Sequence, residues 1–450
     1  MTSKLTYEDL NLPNYRNTRN VFANLDVSDA FKAGVISALN ILAIGGPGTA
    51  KTTLMSDIHN TYFNGNKREG GEGVLIRCNP EMDLYNEIFS ELDIAKAQRN
   101  LTDNIEALLF RADEVNRAPT KTQNQLLALG DGDMDYKGKS IKLGRDGYLL
   151  LLATANMGNG RFTGTFDIDP AMYDRMHIVI DLDHYCPTQE DHFVLDNREA
   201  NPRVKDAPRK DLTQKIIQAS KEIARETINP GLEAKAVIDY IRHGLANCML
   251  NAEEGKTSKK GREWPMRCSD CKFNSAKSAL CSYIMNSSGR RVTESVIRYA
   301  AALQFIAKLK DPEVKIDTID LMFKSFELVG AYKGVLNPNI LAQEYYGNNS
   351  LLMSTAVEKL KADFRSNYDY ILSSFQEAHE GRALVKFFNH NGKLGDYNSL
   401  SQEAKDKHRI MPSEPYTDKR EIGMGWMNNR IDYEIKNRAT ANPANSEKKK

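Results

Sequence analysis

The sequence predicts an α/β protein: a five-stranded parallel sheet flanked by helices, then a helical region carrying a cysteine-rich insertion. Three observations carry this. Five short apolar runs alternate with longer mixed segments between residues 41 and 185. The runs are continuously apolar, as in strands buried on both faces, rather than alternating. Helix-length segments separate them, which is the spacing that parallel crossovers need.

The runs are Ile41–Ile44, Val74–Ile76, Ala107–Phe110, Tyr148–Ala153 and His177–Ile180. A helical stretch near residues 28–40 precedes the first. The domain so defined covers residues 1–185. Residues 186–210 are polar, hold Pro187, Pro202 and Pro208, and read as a connector. Residues 211–335 form the helical domain, with helices expected over 211–228 and 232–248. Val292, Val296, Tyr299, Ala300, Leu303, Ile306 and Ala307 recur at helical spacing on one face of a third. The Gly/Ser/Lys-rich tract 249–285 reads as an insertion. Residues 336–450 form a C-terminal extension of unread role, with a helix expected over 354–380 and a disordered tail at the end.

Composition limits the function. The 450 residues hold 61 Lys+Arg against 60 Asp+Glu, a formal net charge of +1. So balanced a chain has no whole-molecule field to hold nucleic acid or an anionic membrane. No apolar run approaches the ~20 residues of a membrane span. Residues 1–9 lack the apolar core of a signal peptide, so a cytoplasmic protein is expected. The six cysteines then read as thiols or metal ligands.

After the first run comes Gly45-Gly46-Pro47-Gly48-Thr49-Ala50-Lys51-Thr52-Thr53. It fits the P-loop pattern G-x-x-x-x-G-K-[ST] except that Ala50 replaces the last glycine. Glycines let a backbone wrap a phosphate and point its N–H groups inward, and the following helix adds its positive end. Lys51 is placed to reach outer phosphates, and Thr52 to bind Mg²⁺. Ala50 fits if its dihedrals are already helical. The third run leads into Asp113-Glu114, a pair suited to holding Mg²⁺ (Asp113) and polarising a water (Glu114). The fourth leads into Asn156, an amide able to orient that water and sense a γ-phosphate.

Together these motifs resemble the AAA+ ATPases, and among them the MoxR/RavA-type group. The Pro-Gly-x-Ala-Lys-Thr loop is shared, as is the segment Ala112-Asp113-Glu114-Val115-Asn116-Arg117-Ala118-Pro119 with Thr122–Leu127 beyond it. A hairpin-like segment, 134–143, precedes the Asn156 strand as in the family. The resemblance covers about residues 20–335 and implies an AAA+ core with a helical lid. It implies that Arg175, in Asp174-Arg175, is an arginine finger, and that Arg291, or else Arg290, is the sensor-2 arginine. Met176 stands where the family has Phe, and Gly289 and Arg290 where it has Ser-Pro. The family also implies a ring, most often a homohexamer, with ATP between subunits and Arg175 reaching a neighbour's γ-phosphate. It further implies a protein client or adaptor, such as a von Willebrand A-domain protein. MCM helicases share the Gly-Thr-Ala-Lys loop and are the nearest competitor.

Cys248, Cys268, Cys271 and Cys281 have the spacing C-x19-C-x2-C-x9-C. Four thiolates around Zn²⁺ would tie a tract with no core of its own; reduced thiols or an iron–sulfur site are the alternatives. Cys78 and Cys186 stand apart and are expected in the core. Residues 252–280 carry seven Lys/Arg against four Asp/Glu. Zinc thiolates would offset that excess, which favours a solvated or protein-docking surface over nucleic acid. The expected function is ATP hydrolysis that remodels a protein partner. The alternatives are an MCM-like nucleic-acid motor and an ATP-gated scaffold with incidental turnover.

Overall fold

The computed structural model describes residues 4–64, 72–93, 98–157, 165–196, 210–228, 230–244, 283–284, 289–366, 368–369, 372, 386–388 and 394–396. Five parallel strands form the central sheet: β1 (Ile41–Gly45), β2 (Gly73–Arg77), β3 (Leu109–Asp113), β4 (Leu150–Asn156) and β5 (Ile178–Asp181). Their order is β5-β1-β4-β3-β2. Each strand coincides with an expected run, but β3 and β4 each begin two residues late. Leu108 is fully buried yet precedes the ladder, its N–H donating to Glu72 O. An apolar run marks burial; the strand begins where a neighbour offers pairing.

The helices are α1 (Val27–Ile36), α2 (Lys51–Tyr62), α3 (Thr120–Asp131), α4 (Pro170–Arg175), α5 (Gln189–Asp196), α6 (Thr213–Ile228), α7 (Leu232–Gly244), α8 (Arg290–Lys310), α9 (Thr318–Gly330), α10 (Pro338–Gln343) and α11 (Asn349–Ser366). The hairpin expected over 134–143 is present as Asp133–Tyr136 paired with Lys139–Lys142. A second hairpin, Ser90–Asp93 with Gln98–Leu101, interrupts the β2–β3 connection; no apolar pattern marks it. Among the described residues, no helix is long and apolar enough to cross a membrane.

The chain forms two compact units. The first joins Met1–Asn229 to Glu294–Asp317 and holds the sheet, α6 and most of α8. All seven residues of the predicted α8 face are buried, and Tyr299 donates its hydroxyl to Ala30 O on α1 at 3.0 Å. The second unit joins Pro230–Thr293 to Thr318–Lys450. Its described helices pack about Tyr240, Phe323 and Phe364, whose rings meet edge-on at 5.1–6.1 Å. α11 buries Leu352, Met353, Ala356, Val357, Leu360 and Phe364 in this unit, so the chain is packed continuously across position 336. The zinc candidates Cys248, Cys268, Cys271 and Cys281, and the tail after residue 396, lie outside the described residues.

Candidate functional site at the carboxyl edge of the sheet

All five strands run the same way, so their carboxyl ends share one edge, where open α/β sheets bind ligands. Gly45, Arg77, Asp113, Asn156 and Asp181 end there. The glycine-rich loop joins β1 to α2 at this edge. Gly48 adopts φ +83°, a left-handed conformation open to glycine at little cost. Ala50 corrects the expectation from sequence. It is left-handed, with φ +60° and ψ 24°, and not helical. As the residue before α2, it turns the loop into the helix, so its methyl group carries a cost of about 1–2 kcal/mol. No side-chain hydrogen bond caps α2 at Ala50. Its first turn thus presents backbone N–H groups and a positive dipole end at the loop.

Lys51 is 7% exposed. Its ammonium donates to Gly45 O at 2.9 Å, Gly46 O at 2.7 Å and Thr49 Oγ1 at 3.0 Å. Burial lowers its pKa, while the carboxylates of Asp183, Glu114 and Asp113 act to raise it. Three acidic residues therefore face one buried cation. Asp183 was not picked out by sequence. It follows β5, and both its oxygens accept the Gly46 N–H, at 3.0 and 2.9 Å. Gly46 is thus held at its N–H by Asp183 and at its carbonyl by Lys51.

Asp113 and Glu114 are arranged by β4. Thr154 donates its hydroxyl to Asp113 Oδ1 at 2.7 Å and accepts the Glu114 N–H at 2.9 Å. Glu114 is itself left-handed, at φ +55°. That turn carries its carboxylate to Asn156, whose Nδ2 donates to Oε1 at 2.6 Å. Arg117 Nε meets the other oxygen, Oε2, at 2.6 Å. Asn116 exchanges hydrogen bonds with the Asn156 backbone at 2.8 and 3.3 Å, fixing the amide's root. Cys78 is buried nearby; burial, then the Asp113 and Glu114 charges, push its thiol up to about 12. Cys186, by contrast, is exposed and not in the core, its sulfur accepting from Arg19 at 3.4 Å.

Lys51, Asp113, Glu114 and Asn156 are thus brought together, with Thr52 exposed in the first turn of α2. Arg175 is not among them. It ends α4 at the opposite edge, where Asn40, just before β1, donates to the Arg175 carbonyl at 3.1 Å. β1 runs five residues between the two edges, about 16 Å at ~3.3 Å per residue. Arg290 and Arg291 are exposed at the start of α8, in the second compact unit. Among the described residues, no group of three or more His, Cys, Asp or Glu side chains is placed to hold a metal ion. Thr154 and Asp183 carry no sequence signal because their contacts join residues far apart in the chain; Arg117 lies in the 112–119 segment, but its ion pair depends on the left-handed turn at Glu114.

Fold and site together define a parallel α/β protein with a glycine-rich loop between its first sheet strand and the following helix. No family model and no curated protein matches the sequence. Among solved structures, the chain is similar to a Cytophaga hutchinsonii protein provisionally described as an ATPase. The identity is 18% and the TM-score 0.49, over 73% of this chain and 88% of that one. It is also similar to a full-length MCM homolog from Methanopyrus kandleri, at 14% identity and a TM-score of 0.40, over 69% of this chain and 56% of that one. At these values neither likeness identifies a family.

Proposed function

We propose that the chain is an AAA+ ATPase of MoxR type that remodels a protein partner. The observation that carries this reading is the convergence of Lys51, Asp113, Glu114 and Asn156 at the carboxyl edge, beside an uncapped helix N-terminus. Loop N–H groups and Lys51 suit the phosphates of ATP. Thr52 and Asp113 offer hard oxygen donors, fitting Mg²⁺, which supplies charge neutralisation at phosphate oxygens. Glu114 serves as general base toward the attacking water. Asn156 and Arg117 hold its carboxylate, so positioning the water requires that Glu114 exchange one of these partners. Asp183 keeps the loop's first peptide in place.

Arg175 cannot serve the phosphates of its own loop from the far edge of the sheet. The reading therefore includes a ring, a homohexamer by family analogy, in which Arg175 meets a neighbour's nucleotide. A von Willebrand A-domain client or adaptor, and Arg291 (or Arg290) as sensor 2, follow from the same analogy. A structural Zn²⁺ on Cys248, Cys268, Cys271 and Cys281 rests on spacing alone. Elemental analysis should find about one zinc per chain, and a zinc-free protein would end that part of the reading.

Mg²⁺-dependent phosphate release from ATP by the purified chain, lost in Lys51→Ala, is the primary test. Failure of the wild-type chain to bind ATP would overturn the proposal. A nucleic-acid motor is the second reading, favoured by one observation: the 133–142 hairpin exposes Lys137, Lys139 and Lys142, and Lys137 donates to Arg99 O on the adjoining hairpin at 3.1 Å. Turnover stimulated by DNA would select it. Nucleotide-dependent assembly without turnover would select a scaffold.

A further inference from the structure

We propose that Asp131 is a positioning residue for Arg175, holding its guanidinium ready for an anion brought by another copy of the chain. The inference rests on the reading of Arg175 as a residue that acts between subunits. It starts from an unfavourable placement. Asp131 is the last residue of α3, where a carboxylate opposes the negative end of the helix dipole. Helix stability is no reason for an acid there. Its Oδ2 instead meets Arg175 Nε at 2.6 Å.

Three contacts fix Arg175 around that pair. Asn40 Nδ2 donates to both the Gly130 carbonyl, at 2.9 Å, and the Arg175 carbonyl, at 3.1 Å. One amide at the foot of β1 thereby ties the end of α3 to the end of α4. Gly130 lets the two approach: a methyl group there would come within 2.8 Å of Arg175 Cβ. The guanidinium also gives one Nη1 hydrogen bond to Ala171 O at 3.2 Å.

The chemistry lies in which donors these contacts use. Arginine has five N–H donors in a rigid fork. Asp131 takes Nε, and Ala171 takes one hydrogen of Nη1. Among the described residues Nη2 has no hydrogen-bond partner and Nη1 keeps one hydrogen, donors that can serve an anion at the outer Nη1–Nη2 edge. That edge is the one matched to a phosphate oxygen pair. An ordinary surface ion pair contributes about 0–1 kcal/mol and needs no such framework. Here the rotamer freedom of a long side chain is removed before any anion arrives, which is how preorganisation raises a rate.

The test compares Asp131→Ala, Arg175→Ala and the double variant in the full-length protein, measuring kcat and KM for ATP and the Kd of a fluorescent nucleotide. Asp131→Ala should lower kcat about 3- to 30-fold with Kd unchanged, and the double variant should match Arg175→Ala alone. Asp131→Asn, which keeps an acceptor for Nε, should recover most of the rate. Gly130→Ala, a better helix former, should also lower kcat by displacing the Arg175 stem, with the melting temperature as a check on folding. A wild-type rate in Asp131→Ala beside a defective Arg175→Ala would overturn the positioning role and leave Arg175 in place. Additive losses in the double variant would make Asp131 structural. Full activity in Arg175→Ala would remove the reading of Arg175 itself, and this inference with it.

Discussion

The two edges of the central sheet are built for different tasks. The carboxyl edge couples Lys51 by charge to Asp183, Glu114 and Asp113, and Glu114 by a hydrogen bond to Asn156. The amino edge gathers Asn40, Gly130 and Asp131 around the partly exposed cation Arg175. The first edge carries the groups proposed to meet a phosphate and a water, with Arg117 committed to the Glu114 carboxylate. The second has an oriented arginine and, among the described residues, lies away from the glycine-rich loop. About 16 Å of strand separates them, so under the proposed reading Arg175 acts on a neighbouring copy. Parallel topology is the cause, because it sends every strand-end motif to one side and every strand-start residue to the other.

The largest effects should come from breaking the carboxyl edge. Lys51→Ala should abolish nucleotide binding by calorimetry or fluorescence. Glu114→Gln should bind ATP yet turn over at least ~10²-fold more slowly, the scale of a lost positioned base. Normal steady-state turnover in Glu114→Gln would remove that residue from the chemistry and erase the contrast between the edges.

Mixing experiments sharpen the division next. If the edges meet across a subunit boundary, Arg175→Ala chains added to wild type under exchanging conditions should pull activity below the proportional average. A strictly linear decline with the mutant fraction would mean that each copy works alone. A smaller effect is expected at Asp183. Asp183→Ala removes the acceptor from the Gly46 N–H, and ATP should bind about three- to tenfold more weakly, or about 0.7–1.4 kcal/mol. Asp183→Asn should retain most of the affinity, because one oxygen still accepts. Equal affinity in wild type and Asp183→Ala would show that Lys51 alone holds the loop.

The smallest expected effect is at Ala50. Relief of a left-handed alanine is worth about 1–2 kcal/mol, and glycine's greater freedom in the unfolded chain returns about 0.4–1 kcal/mol of it. Ala50→Gly should therefore raise the first thermal transition by about 2 °C. A drop would mean that the methyl group makes contacts that outweigh its strain.

Legibility followed contiguity. The glycine-rich loop could be read because its residues are adjacent and each has a local chemical reason to be there. Asp113, Glu114 and Asn156 could be read because each ends a buried run. Thr154 could not: a threonine inside an apolar strand looks like packing, and its role appears only when β4 lies beside β3 and its hydroxyl bridges Asp113 and Glu114. Asp183 and Asp131 are acids in polar surroundings, meeting partners 137 and 44 residues away. The helical expectation at Ala50 failed because a one-residue shift separates the turn from the first turn of α2.

By itself the sequence determined the five buried runs, the glycine-rich loop and the acids and amide that end the runs, because strand burial and loop chemistry are written in neighbouring residues. It determined the buried face of α8 as well, since helical spacing alone places Tyr299, Leu303 and Ile306 on one side. An apolar stripe states that something must cover it and never what. Only the tertiary structure decided that α6 and most of α8 join the sheet while α7, α9 and α11 pack around Tyr240, Phe323 and Phe364. It alone decided the strand order, and with it which motifs share an edge. Order is set by which strands find pairing partners and by how the crossover helices bury their faces, and both are sums over contacts between residues far apart in the chain.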